Sequence, residues 1–268
     1  MSSLLPDADE HLTSGWEPDL AAADSVVRQA VLVHASWAVA PARALGRASY
    51  DGDQWAGGHV GDAGALTNWV VVKQPLLDLD RVVTEARRLF PPGVPFLVVS
   101  AWPTADLRHL GLSLMGHPPL MFRPWSAVVE EPPAGIEVRA ASTATELAEA
   151  ERVLVDGYPI TELQPFRPGR LYAPAMLETA TAVIVAFDGA TALATASAHS
   201  AAGVTLVESV AAMPAARGRR VGGAVTVAAT VAFPGQGAVL LASDDGQPVY
   251  ERLGYHRLER WTVWLNTA

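Results

Sequence analysis

The chain has 268 residues, of which 50% are hydrophobic and 18% charged, and its formal net charge is −9. This length and composition suit two domains with sizeable cores and exclude a wholly disordered chain. The negative charge argues against nucleic-acid binding, and the absence of cysteine excludes disulfides, thiolate metal sites and a thiol nucleophile, so no metal site is predicted.

The first 20 residues predict a loose arm, because Pro, Asp, Ser and Gly occur there without periodicity. They carry neither the basic leader nor the apolar core of a signal peptide. No apolar stretch approaches the roughly 20 residues that a membrane helix needs. We therefore expect a cytoplasmic protein with no membrane partner.

Regular elements follow in the N-terminal half. Residues 21–45 have helical spacing broken by Pro41, and the Gly/Asp-rich stretch 51–64 predicts a surface loop. Strands are predicted at 69–73, 95–101 and 119–129, and helices at 78–90 and 105–115.

A linker at 130–135, Glu-Glu-Pro-Pro-Ala-Gly, divides the chain into predicted domains 1–133 and 134–268. In the second, Ser142, Thr143 and Glu146 form a capping box for a helix to about residue 155, and 157–175 is predicted to be irregular. Strands are predicted at 136–142, 181–187, 190–199, 204–212, 238–243 and 255–265, and helices at 221–233 and 247–253. Asp188-Gly189 predicts a hairpin turn. Strands alternating with helices in both halves predict an α/β or α+β fold.

The two halves share a short pattern. LRHLGL at 107–112 and YERLGY at 250–255 each precede a tryptophan-containing strand, and each Leu-Gly pair suits the end of a short helix. The preceding elements occur in the same order, which favours a tandem duplication.

Residues 207–233 predict a strand, an Arg/Gly turn at Pro214 and a helix of small residues. Free N–H groups and the positive dipole end at such a helix start can bind a diphosphate. The backbone can approach the phosphates closely at three glycines, Gly218, Gly222 and Gly223, because they have no Cβ. Three arginines also follow Pro214. A dinucleotide or P-loop signature is absent, and a basic cluster without an aromatic platform is a weak nucleic-acid site. The alternative interpretation, that this stretch is only a solvent-exposed Arg-rich turn, remains.

Arg217-Gly218-Arg219-Arg220-Val221-Gly222 resembles the Gln/Arg-x-x-Gly-x-Gly/Ala signature of the GNAT superfamily of N-acetyltransferases. It matches at Arg217 and Gly222 and departs at Arg220, where the family usually has glycine. Residues 243–255 resemble a second signature, in which Asn or Ser ends a strand and a tyrosine, here Tyr250, precedes a Gly-Tyr pair. The resemblance implies two GNAT-like mixed-sheet domains, the N-terminal one incomplete or degenerate.

The resemblance also implies an N-acetyltransferase that moves acetyl from acetyl-CoA, a cosubstrate, to a primary amine or peptide N-terminus. Attack would be direct, in a ternary complex. The strand edge at 210–212 would pair with the pantetheine arm, and the amides of 218–223 would hold the diphosphate. The implied cofactor-binding residues are Val210, Ala211, Ala212, Arg217, Gly218, Arg219, Arg220, Val221, Gly222, Gly223, Ala224 and Ser243.

Two residues are candidates for catalysis. Tyr250 would return a proton to the thiolate as general acid, since an ordinary tyrosine pKa of about 10 keeps it protonated. Glu208 is the first candidate for the base, with a salt-bridged strand glutamate as the alternative, and His199 is the second candidate. Asp244 and Asp245 would cap the next helix, whereas Tyr158, Glu162 and Tyr172 lie where the family often builds its acceptor pocket.

The N-terminal copy is predicted to be inactive. Residues 74–80 contain two acids and no glycine, and Leu107 stands where Tyr250 stands in the other copy. One cofactor per chain is expected, with the first half supporting the acceptor site or forming its wall. A non-catalytic acyl-CoA-binding regulator, favoured by Arg220, and a purely structural module remain alternatives, and a homodimer is left open.

Overall fold

The computed structural model describes Trp16 and residues 21–61, 64–75, 78–127 and 131–267; the predicted arm at 1–20 otherwise lies outside the described residues. Its helices are α1 (Val26–Ala44), α2 (Leu79–Leu89), α3 (Ala144–Gly157), α4 (Val221–Thr230) and α5 (Gln247–Arg252). Its strands are β1 (Ser49–Asp51), β2 (Trp55–Gly58), β3 (Trp69–Val72), β4 (Phe96–Ser100), β5 (Leu112–Gly116), β6 (Pro119–Arg123), β7 (Ile136–Ala140), β8 (Thr181–Asp188), β9 (Thr191–Ala201), β10 (Val204–Ala212), β11 (Ala238–Leu241), β12 (His256–Arg260) and β13 (Thr262–Asn266).

These strands form two mixed sheets of matching design. The N-terminal sheet has the order β1-β2-β3-β4-β13-β5, and the C-terminal sheet has the order β12-β6-β11-β10-β9-β8-β7. Each contains one parallel pair, β3 with β4 and β10 with β11, joined through α2 and α4 respectively. The predicted α+β fold with two mixed sheets is confirmed, and the N-terminal sheet is shorter by one strand.

The repeated Leu-Gly pattern occupies equivalent positions in the two halves. Gly111 and Gly254 both adopt left-handed backbone, with φ of 79° and 84°, after a short helical turn and before the second-to-last strand of their half. A glycine is favoured there because it has no Cβ to clash in this conformation. The agreement supports the tandem duplication.

Each half donates one strand to the other half's sheet. Strand β6 pairs antiparallel with β11 and β12 in the C-terminal sheet. Strand β13 pairs antiparallel with β4 and β5 in the N-terminal sheet. The two predicted units therefore share strands across the linker at 130–135.

Helix α1 lies between the two sheets. It packs on β2 and β3 from one side and on β9 and β10 from the other. Burial on both sides explains why its apolar residues are not confined to one stripe. The helix is capped at its N-terminus by Ser25, whose side chain accepts from the Arg28 amide. No helix in the described part of the chain is long and apolar enough to cross a bilayer.

Four predictions of local structure were wrong. Residues 105–115 form a short 3₁₀ turn and then β5, and the predicted loop 51–64 contains the buried strand β2. Pro41 does not break α1, because the packing on both sides holds the last turn. The single strand predicted at 255–265 is two strands in different sheets, since the chain crosses over at the buried Trp261.

The strand exchange predicts that the halves do not fold separately. Expressed alone, 1–133 and 134–268 each lack a strand that lies between two others, which leaves unpaired edges and an incomplete core. We expect neither fragment to show a cooperative thermal transition by circular dichroism, and an equimolar mixture to recover one. Cooperative unfolding of either fragment alone would contradict the prediction.

Candidate functional site

A β-bulge in β10 opens the C-terminal sheet. The pairing of β10 with β9 shifts between Glu208 and Ala211, and Ser209 in the bulge has φ of 56°. Strand β10 pairs with β11 only at Thr205 and Leu206, so its later edge turns away from β11. Bulges of this kind re-aim side chains and are frequent beside active sites.

The turn after β10 presents backbone N–H groups at the start of α4. The first α-helical hydrogen bond at this end runs from the Ala224 amide to the Arg220 carbonyl. The amides of Val221, Gly222 and Gly223 precede it and have no acceptor within the helix. A Cβ built on Gly222 would meet no atom within 4 Å, so these amides border open space.

A cavity of 510 Å³ lies against this helix start. Val249 and Arg252 of helix α5, and Leu253 directly after it, also line the cavity. The other lining residues are Glu131, Pro133, Ala212, Ala216, Arg217, Gly218, Arg220, Val221, Gly222, Gly223, Ala224 and Val227. Eight of the twelve predicted cofactor residues therefore line one cavity, whereas Val210, Ala211, Arg219 and Ser243 do not.

The three arginines of the turn have different surroundings. Arg217 donates to the Gly157 carbonyl at 3.0 Å and thereby joins the turn to the end of α3. Arg219 points to the β8–β9 hairpin, where it forms an ion pair with Asp188 at 2.8 Å. Arg217 and Arg220 border the cavity, so these two can place positive charge beside an anion there.

The departure from the family signature falls on a left-handed residue. Arg220 has φ of 62° at the N-cap of α4, a conformation that costs a non-glycine residue about 1–2 kcal/mol. We expect Arg220→Gly to raise the free energy of unfolding by about 1 kcal/mol and, because one cation leaves the cavity wall, to weaken coenzyme A binding without abolishing it. Chemical denaturation and calorimetry measure the two effects.

The matched control for this prediction is Gly218→Ala, at φ of 77° in the same turn. It should lower the free energy of unfolding by about 1 kcal/mol, because alanine is strained there. An Arg220→Gly variant less stable than the parent would show that the arginine side chain contributes more than the backbone strain costs.

Tyr250 lies on α5, whose residues Val249 and Arg252 line the cavity. Its ring packs edge-on to Tyr255 at 6.0 Å, and its hydroxyl makes no hydrogen bond to any described residue. Burial, and then Tyr158 and Glu208, raise its pKa, so the phenol stays protonated at neutral pH. The preceding turn is held by Ser243, whose hydroxyl accepts from the Gly246 amide, while Asp244 pairs with Arg260.

Glu208 is a nearly buried carboxyl beside the bulge. Its side chain is 15% exposed, and burial raises its pKa to about 7. The Ser209 amide donates to Oε2 at 3.3 Å. A glutamate that titrates near neutrality can both accept and release a proton at working pH.

Two of the three predicted acceptor-pocket residues approach Glu208. The Glu208 carboxylate raises the pKa values of both Tyr158 and Tyr172, although burial is the larger cause in each. The Tyr172 hydroxyl is buried beside Ser209 but outside hydrogen-bonding geometry. Glu162 is exposed and bonds only its neighbour Thr161 among the described residues.

The segment that carries Tyr172 is anchored by a carboxylate inside the protein. Glu151 on α3 is fully buried and accepts three backbone N–H groups. The donors are Gly169, Arg170 and Leu171. These bonds fix an otherwise irregular stretch, since a buried carboxylate is tolerated only when it is hydrogen-bonded.

His34 on α1 was not predicted as a site residue. Its Nε2 lies 4.0 Å from Glu208 Oε1, and the side chain is fully buried. No sequence signal links the two residues, because they are distant in the chain and only the packing of α1 on β10 brings them together. The other candidate base, His199, is bonded at both ring nitrogens, to Thr181 and Ser36.

The equivalent place in the N-terminal half has different chemistry. Asp78 caps α2 by accepting from the Arg81 amide, so a carboxylate occupies the helix start where a diphosphate would bind. Leu107, the counterpart of Tyr250, is fully buried. The expected restriction to one cofactor per chain stays a prediction.

Solved structures share this fold. A GCN5-related N-acetyltransferase from Kribbella flavida has a TM-score of 0.60 and 24% identity, with 88% of this chain and 95% of that chain covered. A putative acetyltransferase of the GNAT family from Novosphingobium aromaticivorans has a TM-score of 0.55 and 16% identity, with 84% and 95% covered. A functionally unknown conserved protein from Staphylococcus epidermidis has a TM-score of 0.54 and 11% identity, with 81% and 92% covered.

These similarities confirm, at the level of the fold, the resemblance carried by the two signatures. No protein-family model and no curated protein matches the chain. Activity, cofactor and acceptor therefore rest on the site itself.

Proposed function

We propose that this chain, which has the fold of the GCN5-related N-acetyltransferases, transfers an acetyl group from acetyl-CoA to a primary amine. The observation that carries the proposal is the cavity at the glycine-bearing start of α4, which is also lined by Val249 and Arg252 of α5. Tyr250 lies on that same helix, and the Glu208 carboxyl is near enough to raise the pKa of its phenol. Its free amides suit a diphosphate, and the two side chains supply an acid and a base.

Coenzyme A would bind along the opened sheet. The diphosphate would sit on the amides of Val221, Gly222 and Gly223, with Arg217 and Arg220 nearby. The pantetheine arm would add to the edge of β10 at 210–212, where β11 no longer pairs. The bound group supplies a thioester, which is activated toward attack by an amine.

The residues of the chain would then move two protons. Glu208 would take a proton from the ammonium, so that the free amine attacks the thioester carbonyl. Tyr250 would give its proton to the sulfur as the carbon–sulfur bond breaks. Because the chain has no cysteine to form a thioester intermediate, direct transfer in a ternary complex is the simplest route.

The acceptor is an amine of a small molecule or a peptide N-terminus. Tyr158 and Tyr172 flank Glu208, so the acceptor side combines aromatic rings with one carboxyl. Such a set of groups attracts a cation through both charge and the faces of the rings.

Acetyl-CoA titration with a turnover assay tests the proposal. We expect heat on titration by calorimetry, a rise in melting temperature, and release of free thiol with a panel of amines. Gly222→Glu should abolish the binding, since its carboxylate would enter the open space beside the amides at the start of α4, where the diphosphate would bind. Gly64→Glu is a matched control, because a Cβ there also meets open space and the residue lies in the N-terminal half.

The outcomes separate the proposal from its alternatives. Binding without thiol release across the amines would favour a non-catalytic acyl-CoA-binding regulator. Absence of both heat and thermal stabilisation would overturn the cofactor assignment and, with it, the proposed activity.

A further inference from the structure

His34 has one ring nitrogen committed and one unused. Its Nδ1 lies 2.7 Å from the Ala30 carbonyl oxygen one turn earlier in α1. Because a carbonyl oxygen only accepts, Nδ1 carries the proton and Nε2 bears the lone pair. The Nε2 atom is buried and has no hydrogen-bond partner among the described residues.

The unused nitrogen faces an unused carboxyl oxygen. Glu208 Oε1 lies 4.0 Å from His34 Nε2, while the other oxygen, Oε2, accepts from the Ser209 amide. Indole rings border the imidazole: Trp261 at 4.7 Å and Trp69 at 6.2 Å between ring centroids. Burial lowers the pKa of His34 to about 4, so the imidazole stays neutral.

We propose that His34 is a positioning residue for Glu208. When the Glu208 carboxylate takes the substrate proton, the Nε2 atom of His34 accepts a hydrogen bond from the Oε1–H that forms. In that step an N–H bond of the ammonium breaks and the Oε1–H bond forms. The imidazole receives a hydrogen bond and gains no proton. The inference rests on the proposed function, because it concerns the same proton transfer.

The physical effect has a definite sign. A fixed lone pair beside Oε1 repels the carboxylate and stabilises the acid, so it makes Glu208 a stronger base. Among the described residues, the other titratable groups on which Glu208 acts electrostatically are Tyr158 after α3, Tyr172 in the anchored segment and Tyr250 on α5. These neutral phenols stay unchanged over the same pH range, whereas His34 supplies the acceptor.

Two substitutions test the proposal through the pH profile. His34→Phe keeps a ring among the indoles and removes the acceptor. The pKa that defines the acidic limb of the kcat/KM profile against pH should then fall by roughly half to one unit, the equivalent of one lost hydrogen bond. His34→Gln restores an acceptor at the position of Nε2, and its limb should return to that of the parent. A merely structural His34 would change the melting temperature or kcat in both variants and leave the limb in place.

A measurement on the parent protein keeps the test decisive if the variants fail to fold. Nitrogen-15 NMR should show His34 neutral with the proton on Nδ1 down to pH 5, and its Nε2 shift should inflect in step with the Glu208 carboxyl carbon. An Nε2 shift that ignores the Glu208 titration, or a limb that does not move in a folded His34→Phe variant, would overturn the inference. Absence of turnover in the parent protein would instead overturn the proposed function, whereas the NMR result would still decide the pairing.

Discussion

Glu208→Gln is expected to lower kcat/KM at pH 7 by about 10²–10⁴-fold, the usual contribution of a positioned general base. Glutamine keeps the shape of the side chain but cannot take the proton of the ammonium. In the parent protein, burial raises the pKa of Glu208 to about 7. Activity should therefore rise as pH increases through 7, because the base acts in its ionised form. Initial rates from pH 5 to 10 measure both effects.

The variant should lose the limb near pH 7 and recover at high pH, where the amine deprotonates without help. Glu259→Gln is the matched control, since burial also raises the pKa of that carboxyl, which accepts from the indole of Trp261 and lies on the edge strand β12, three strands away from β10. It should keep the profile of the parent. A Glu208→Gln variant with an unchanged limb would assign the base to another group.

Tyr250→Phe should lower kcat by about 10²-fold while the dissociation constant for acetyl-CoA stays the same. The hydroxyl is the only atom removed, and it makes no hydrogen bond to a described residue that would hold the cavity together. Burial raises the pKa of Tyr250, so the phenol is a full proton donor at neutral pH. Steady-state kinetics and calorimetry on the same preparation separate the two quantities.

Tyr255→Phe is the matched control, because it removes a hydroxyl five residues away that bonds to Thr230 at 2.5 Å. Loss of this buried bond should cost about 1 kcal/mol of unfolding free energy and leave kcat near that of the parent. An equal fall in kcat for both variants would mean that Tyr250 serves only the packing of α5.

Together, these residues divide the site between the halves. The C-terminal half carries the helix start, Tyr250 and Glu208, whereas α1 of the N-terminal half brings His34 against Glu208. The first half thus lies next to the candidate base, and its role as a wall or support of the acceptor site stays a prediction.

The sequence by itself determined the local features that depend on neighbouring residues. The Thr143 cap is in place, since its hydroxyl accepts from the Glu146 amide, although the Glu146 carboxylate accepts from the Ser142 amide rather than from that of Thr143. The strands 181–187 and 204–212 and the glycine turn before α4 also lie where their residues predict. In these segments backbone conformation follows from turn chemistry, capping and periodicity over a few residues.

Only the tertiary structure decided which distant segments meet. The exchange of β6 and β13, the burial of α1 between two sheets and the approach of His34 to Glu208 leave no local pattern in the chain. Residues 105–115 show the same limit, because pairing with β13 makes a strand from residue 112 onward in a stretch that is predicted to be a helix. The physical reason is that a strand or a buried polar group is stabilised by partners far away in sequence, whereas periodicity reports only which faces are apolar.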